Sequence, residues 1–151
     1  MIKKTTITDI AGTAPYIVRW SIGLRFGWSL KLHKIVRPDD DRCAHDHPWR
    51  MLRIILAGGY TESHGPNHAI AQRKPWRPWA PWRIYYCPAD FRHRILTLHT
   101  GVSWSLVLCG PRERDWGFYI RDGWIDWQTF VRQARTTRVK WCEESEHPER
   151  I

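Results

Sequence analysis

Apolar and polar residues alternate over short stretches through much of the chain, the period of two that a half-buried strand requires. Trp28–Val36 alternates in this way and is broken by Pro38, Asp39, Asp40 and Asp41. Arg50–Ala57 is rich in Ile and Leu and runs into Gly58 and Gly59, a turn signal. Arg42–His47, Tyr60–Ser63, Ala69–Arg73, Arg83–Cys87, Arg92–His99, Ser103–Cys109 and Trp116–Ile120 also read as extended. So many short strands at regular spacing predict an all-β sandwich or barrel. One helix is expected near the end. Asp126 can cap it, Ile125 and Phe130 occupy staple positions, and Trp127, Phe130, Val131 and Ala134 form one apolar face. The expected organisation is a segment over 1–27 packing on a barrel over 28–120, then a helix over 121–139 and an acidic tail over 140–151.

A chain of 151 residues suits one domain with one core. No apolar run is longer than that of Ile54–Ala57, which is far short of the roughly 20 residues that span a bilayer. Thr5–Thr13 is too polar for a secretion signal, so no membrane partner and a cytoplasmic setting are expected. Cys43, Cys87, Cys109 and Cys142 are widely spaced, which gives no disulfide framework and no C-x-x-C metal site. The net charge is +9, and it favours anionic partners without saying which.

Cys43-Ala-His45-Asp-His47-Pro-Trp49 carries the sharpest chemistry. Side chains two apart on a strand share a face, so His45 and His47 project together, a spacing from which two imidazoles can hold one metal ion. His93, at a strand start after a Pro-Asp turn, is the expected third ligand.

Here the chain resembles the cupin superfamily. His45-x-His47 is followed by three residues, then Met51, six residues and Gly58, the frame of the first cupin motif with Met51 where Glu usually stands. Pro88-x-Asp90-x-x-His93-x-x-x-Thr97 keeps the frame of the second motif, with Asp90 and Thr97 replacing Gly and Asn. The flanking pieces Leu32-His33-Lys34, Gly58-Gly59-Tyr60 and Arg114-Asp-Trp-Gly-Phe118 resemble small cupins that share an H-D-H-P-W core. The resemblance implies a cupin double-stranded β-helix, or jelly-roll barrel, with a C-terminal helix. It also implies a divalent metal on His45, His47 and His93, and a homodimer. Fe2+ is favoured by analogy with three-histidine cupin dioxygenases; Mn2+, Ni2+ and Zn2+ also suit imidazole. Without a carboxylate ligand the dication keeps its full charge and favours an anion in its open positions.

Same-face parity places Met51, Arg53 and Ile55 toward the barrel interior. An inward Arg53 calls for an anion, which can be a substrate carboxylate or phosphate. The alternatives are an ion pair with Glu62 or Asp90, or a register shift that turns Arg53 outward. His33 suits proton transfer or the orienting of a ligand. Tyr60, Glu62, Tyr85 and Tyr86 are cavity candidates, with Glu62 a possible base. Cys43 has the parity to join the metal, and His99 that of a rim residue near the substrate. The run Lys74-Pro-Trp-Arg-Pro-Trp-Ala-Pro-Trp-Arg83 has three Trp at the polyproline II period. It can stack nucleobases, form a subunit contact or seal the barrel mouth. Arg121, Arg132, Arg135, Arg138 and Lys140 read as a solvated basic face.

Three functions follow. One is a three-histidine iron oxygenase on a small anionic substrate held by Arg53. Another is a metal-dependent isomerase, epimerase or hydrolase on a phosphorylated sugar or nucleotide, with Glu62 or His33 moving protons. The third is a non-catalytic cupin that binds a ligand or nucleic acid.

Overall fold

The structure is a computed structural model that describes residues 1–39, 43–64, 76–136 and 142. It contains eleven strands and one α-helix among those residues. They are β1 (Lys3–Thr8), β2 (Pro15–Gly23), β3 (Ser29–Ile35), β4 (Met51–Ala57), β5 (Tyr60–His64), β6 (Trp76–Trp79), β7 (Ile84–Cys87), β8 (His93–Leu98), β9 (Ser103–Cys109), β10 (Gly117–Ile120), β11 (Gly123–Asp126) and α1 (Trp127–Thr136). All the strand pairs are antiparallel.

A six-stranded sheet in the order β1-β2-β3-β9-β4-β7 forms one wall. Facing it are the three-stranded sheet β6-β5-β8 and the β10-β11 hairpin. The histidine segment joins these two pieces, because His45 forms isolated bridges to both His93 and Phe118. The jelly-roll core lies between the walls, where alternate residues turn inward. Met51, Arg53 and Ile55 are buried on β4, and Ser103, Ser105, Val107 and Cys109 on β9.

Two glycines set the β4–β5 corner. Gly58 has φ +76°, and a Cβ there would lie 2.1 Å from the Val102 carbonyl oxygen. Only a residue without a side chain turns the strand so tightly, and the turn delivers Tyr60, Glu62 and His64 to the interior. Asp126 caps α1 by accepting hydrogen bonds from the Gln128 and Thr129 amides at 3.1 and 3.0 Å. Phe130 then stacks on Phe118, with ring centroids 4.0 Å apart.

Several expectations change. Residues 1–27 do not simply pack on the barrel: β1 and β2 extend its larger sheet, with β2 in register with β3 from Ile17 to Gly23. The helix starts at Trp127, because residues 123–126 pair with β10. The Trp-Pro-Arg run contributes β6, an edge strand on which Pro78 is tolerated. Its Trp79 is buried in the core, while Trp82 is exposed. Cys43 is disulfide-bonded to Cys142, and its surroundings are the Phe118–Phe130 cluster rather than the metal site. The pairing departs from the expectation that the cysteine spacing gives no disulfide. The strand expected at Ala69–Arg73 and most of the acidic tail lie outside the described residues. No helix among the described residues is long and apolar enough to cross a membrane.

Gly58→Ala is expected to destabilise the fold by about 2–3 kcal/mol, since strain and a backbone clash add. Gly101→Ala, with φ +72° but nothing within 4 Å of its Cβ, should cost about 1 kcal/mol. Thermal denaturation followed by circular dichroism measures both.

Candidate metal centre

The histidine segment is held from both sides. The His45 amide donates to the His93 carbonyl and the His93 amide returns the bond to His45, each at 2.9 Å. The Tyr119 amide reaches the Ala44 carbonyl at 2.8 Å, and the His47 amide reaches that of Ala89 at 3.1 Å. Asp46 points away from its two histidine neighbours and is fully buried. It accepts hydrogen bonds from the Gly117 amide, the Tyr119 hydroxyl and the Trp124 indole at 2.8, 3.2 and 3.1 Å, and pairs with Arg114 at 3.2 Å. With Asp46 fastened outward, strand alternation turns His45 and His47 inward together.

One ring nitrogen from each of His45, His47 and His93 lies within 4.8 Å of the others. The Nε2 atoms of His47 and His93 are 2.8 Å apart. Two nitrogens each about 2.1 Å from one ion are roughly 3 Å apart when they subtend a right angle, so this spacing fits a shared ion. His47 is half-buried and lines the cavity; burial, with His93, His45, Arg53 and Arg19 close by, holds its pKa well below 6.5. A neutral imidazole is the form that binds metal.

Glu62 fixes the third ligand. Its Oε2 lies 3.0 Å from His93 Nδ1, and its Oε1 lies 3.1 Å from Arg53 Nη2 and 3.2 Å from His64 Nε2. Burial alone would raise its pKa. The Arg53 guanidinium, His93 and the hydrogen bonds from His64 and His93 outweigh burial and hold it well below the ordinary 4.5. An ionised Glu62 accepts a hydrogen bond from the His93 Nδ1–H, which leaves the Nε2 lone pair free to face an ion. The residues present therefore fit a divalent metal.

The centre borders a cavity of about 530 Å³. Arg19, His33, Met51, Arg53, Tyr60 and Ser105 line its inner part. Tyr60 and Ser105 are fully buried and Arg53 nearly so. The Tyr60 hydroxyl, Ser105 Oγ and Arg53 Nε have no hydrogen-bond partner among the described residues. Arg19 donates from Nε to His33 Nε2 at 3.0 Å. Toward the mouth the lining becomes Ile7, Ile10, Trp116, Trp127 and Val131.

The expected site residues thus separate. Arg53 faces inward and meets both an ion pair with Glu62 and the cavity. Met51 and Tyr60 line the cavity. Glu62 does not line it and is no free base, because all its oxygens' bonding goes to Arg53, His64 and His93. Burial, then Arg19, Lys31 and Arg53, hold His33 well below 6.5, so it does not titrate near neutrality. Tyr85 is buried beside Trp79, with its hydroxyl 3.2 Å from the Ala80 amide, and is absent from the lining. Tyr86 is exposed. His99 is exposed and bonds Thr61 at 3.0 Å, away from the cavity. Arg135 does not belong to a free basic face: it lines the mouth and donates to the Ile10 carbonyl. Sequence reasoning missed Arg19, His64, Ser105 and the anchoring part of Asp46. His64 shared the parity of Tyr60 and Glu62, but Arg19 had no signal without the β2–β3 register.

No family model matches the sequence, and no curated protein matches it. Solved structures do. A cupin-2 domain from Rhodospirillum rubrum superposes with a TM-score of 0.56 at 12% identity, covering 81% of this chain and 78% of that one. Fe(II) HppE gives 0.53 at 10% identity over 71% of this chain, which spans 56% of the HppE chain. A proposed mannose-6-phosphate isomerase from Ralstonia eutropha gives 0.51 at 19% identity, covering 65% and 88%.

Glu62→Gln is expected to weaken metal binding by about 10–100-fold and to cost about 3–5 kcal/mol by stranding buried Arg53. Competition titration with a chelating dye and denaturant unfolding measure the two effects. In the native protein the contribution of Glu62 should stay constant above its ordinary 4.5 and be lost progressively as the pH falls from there through its depressed folded value. The paired walls, the strand order and the inward histidines identify this chain as a protein of the cupin fold.

Proposed function

We propose that the protein is a metal-dependent enzyme, an iron oxygenase acting on a small anionic substrate with an apolar body. The observation that carries this reading is a three-imidazole centre beside the buried Arg53, which is paired with Glu62, and the half-buried Arg19, which has no described carboxylate partner. Among the described lining residues the cations are Arg19, Arg53 and Arg135, and the only carboxylate is Asp9, which pairs with Arg37 at 3.2 Å. Glu62 balances Arg53, but no described carboxylate pairs with Arg19.

Iron held by His45, His47 and His93 would supply redox chemistry toward dioxygen and a binding point for the substrate. The chain's own residues position that substrate. Arg19, the Arg53 Nε–H and the Tyr60 and Ser105 hydroxyls offer donors to an oxyanion. Burial pushes the Tyr60 phenol well above 10, a shift that Arg53 only partly opposes, so it stays protonated and can donate. His33 accepts from Arg19 at Nε2 and so carries its proton on Nδ1, another donor. The substrate's apolar remainder lies against Trp116, Phe118 and Trp127 at the mouth, where it excludes water.

The isomerase, epimerase and hydrolase readings need a base at the cavity. Glu62 is sealed behind His93 and His33 is a weak base, so they have less support. Burial of Trp79 likewise removes one ring from a nucleobase-stacking strip.

Oxygen uptake by the Fe2+-loaded protein across a panel of carboxylates and phosphorylated compounds tests the proposal. Uptake should require both iron and an anion. Arg19→Gln should raise KM at least about tenfold, the loss of one charge-assisted bond of roughly 1.5–3 kcal/mol, with a smaller change in kcat. Turnover with Zn2+ or Mn2+ under anaerobic conditions would favour the isomerase or hydrolase reading instead.

A further inference from the structure

The turn between β2 and β3 carries apolar side chains into water. Residues 22–28 are all exposed, among them Ile22 at 36%, Leu24 at 46%, Phe26 at 88% and Trp28 at 38%. The turn is nevertheless built. The Leu24 amide donates to the Trp28 carbonyl at 2.8 Å, and the Trp28 amide to that of Arg25 at 3.3 Å. Gly27 lies against Pro111, whose Cβ would be 3.4 Å from a Cβ added there. Phe26 has φ 57° and ψ 33°, the left-handed region that a bulky side chain enters only at a cost. That cost holds outward a ring that contributes nothing to the core. Charge around the tip is one-sided. No carboxylate occurs between Asp9 and Asp39, while Arg25 stands in the tip itself. Lys3 and Lys4 flank it on β1, where Lys3 pairs with Ser21. All three cations are exposed. The carboxylates that follow Pro111, Glu113 and Asp115, are matched by Arg50 and Arg112.

We propose that this tip docks the protein on an anionic phospholipid surface. Leu24, Phe26 and Trp28 enter the interfacial layer, where aromatic rings are favoured, and Arg25, Lys3 and Lys4 meet the headgroups. A surface contact of this kind needs no spanning segment. Shape and chemistry select the occupant. A seven-residue turn is too small for the roughly 800 Å² that each partner gives to a stable protein interface. Ile22 and Leu24 offer no ring face on which a nucleobase stacks. A fluid surface needs neither a large area nor a matching groove, only apolar side chains with cations beside them. The position also suits it. The tip follows Gly23, about 20 Å along β2 from Ile17, whose partner Ile7 stands toward the cavity mouth. Docking therefore leaves the mouth uncovered.

Co-sedimentation of the full chain with lipid vesicles tests this. Vesicles of equimolar phosphatidylcholine and phosphatidylserine should bind it at least about tenfold more tightly than pure phosphatidylcholine, since each cation near an anionic surface contributes about fivefold. Phe26→Asn should lower that binding at least about tenfold by removing the inserted ring. Its thermal midpoint should stay level or rise, because Asn accepts the left-handed region more readily than Phe. A residue kept only for the fold would move the midpoint and not the binding. Arg25→Glu should weaken binding to the mixed vesicles and leave binding to pure phosphatidylcholine unchanged. A wild type that binds neither vesicle, or both equally, overturns the proposal. So does a Phe26→Asn chain that binds like the wild type. So, too, does a tip that takes single-stranded DNA or a second copy of the chain in place of vesicles.

Discussion

The carboxylate of Glu62 is the interaction on which the rest of the interior depends. It is fully buried and touches three groups from three strands: Arg53 on β4, His64 on its own strand β5, and His93 on β8. Each contact answers a different need. Arg53 needs a counter-ion because it is buried; His93 needs a partner that fixes its proton on Nδ1; and the two walls need a polar tie where they close. A charge placed there without these partners would be unaffordable in a low-dielectric core. The group that resembles a free catalytic base is therefore a structural anchor, and it acts on the metal centre through His93.

Asp46 complements it from the other side. It lies between the two inward histidines, faces the β10–β11 hairpin, and is held there by four partners. Two buried carboxylates thus orient the histidines without ligating the ion. Neither carboxylate is among the three side chains whose ring nitrogens converge. The consequence is a positive interior. Arg19 lies at the cavity without a described carboxylate, and Lys31 is buried over the Trp49 ring at 3.4 Å.

Much of this was legible in the residues. The alternation within β4 and β9, the spacing of His45 and His47, and the frame that places His93 at a strand start all follow from local patterns. The Asp126 cap was legible for the same reason: capping is local. What escaped depends on register between distant strands. Arg19 reaches His33 only because β2 pairs with β3, and nothing near Arg19 in the sequence marks that pairing. Glu62 had the correct parity to face inward, and its ion pair with Arg53 was one of the alternatives the residues left open, but its bond to His93 thirty-one residues later was not marked. The bond between Cys43 and Cys142 closes a separation of 99 residues, a distance over which spacing carries no information. The Trp79 and Trp82 rings shared a period in sequence, yet the edge pairing of β6 with β5 sends one into the core and leaves the other in solvent.

X-ray absorption spectroscopy of the Fe2+-reconstituted protein tests the central claim most directly. The account predicts imidazole scattering from three nitrogens at about 2.1 Å, with one imidazole shell lost in His93→Ala. A metal environment without imidazole, or one that is unchanged in that variant, would contradict it.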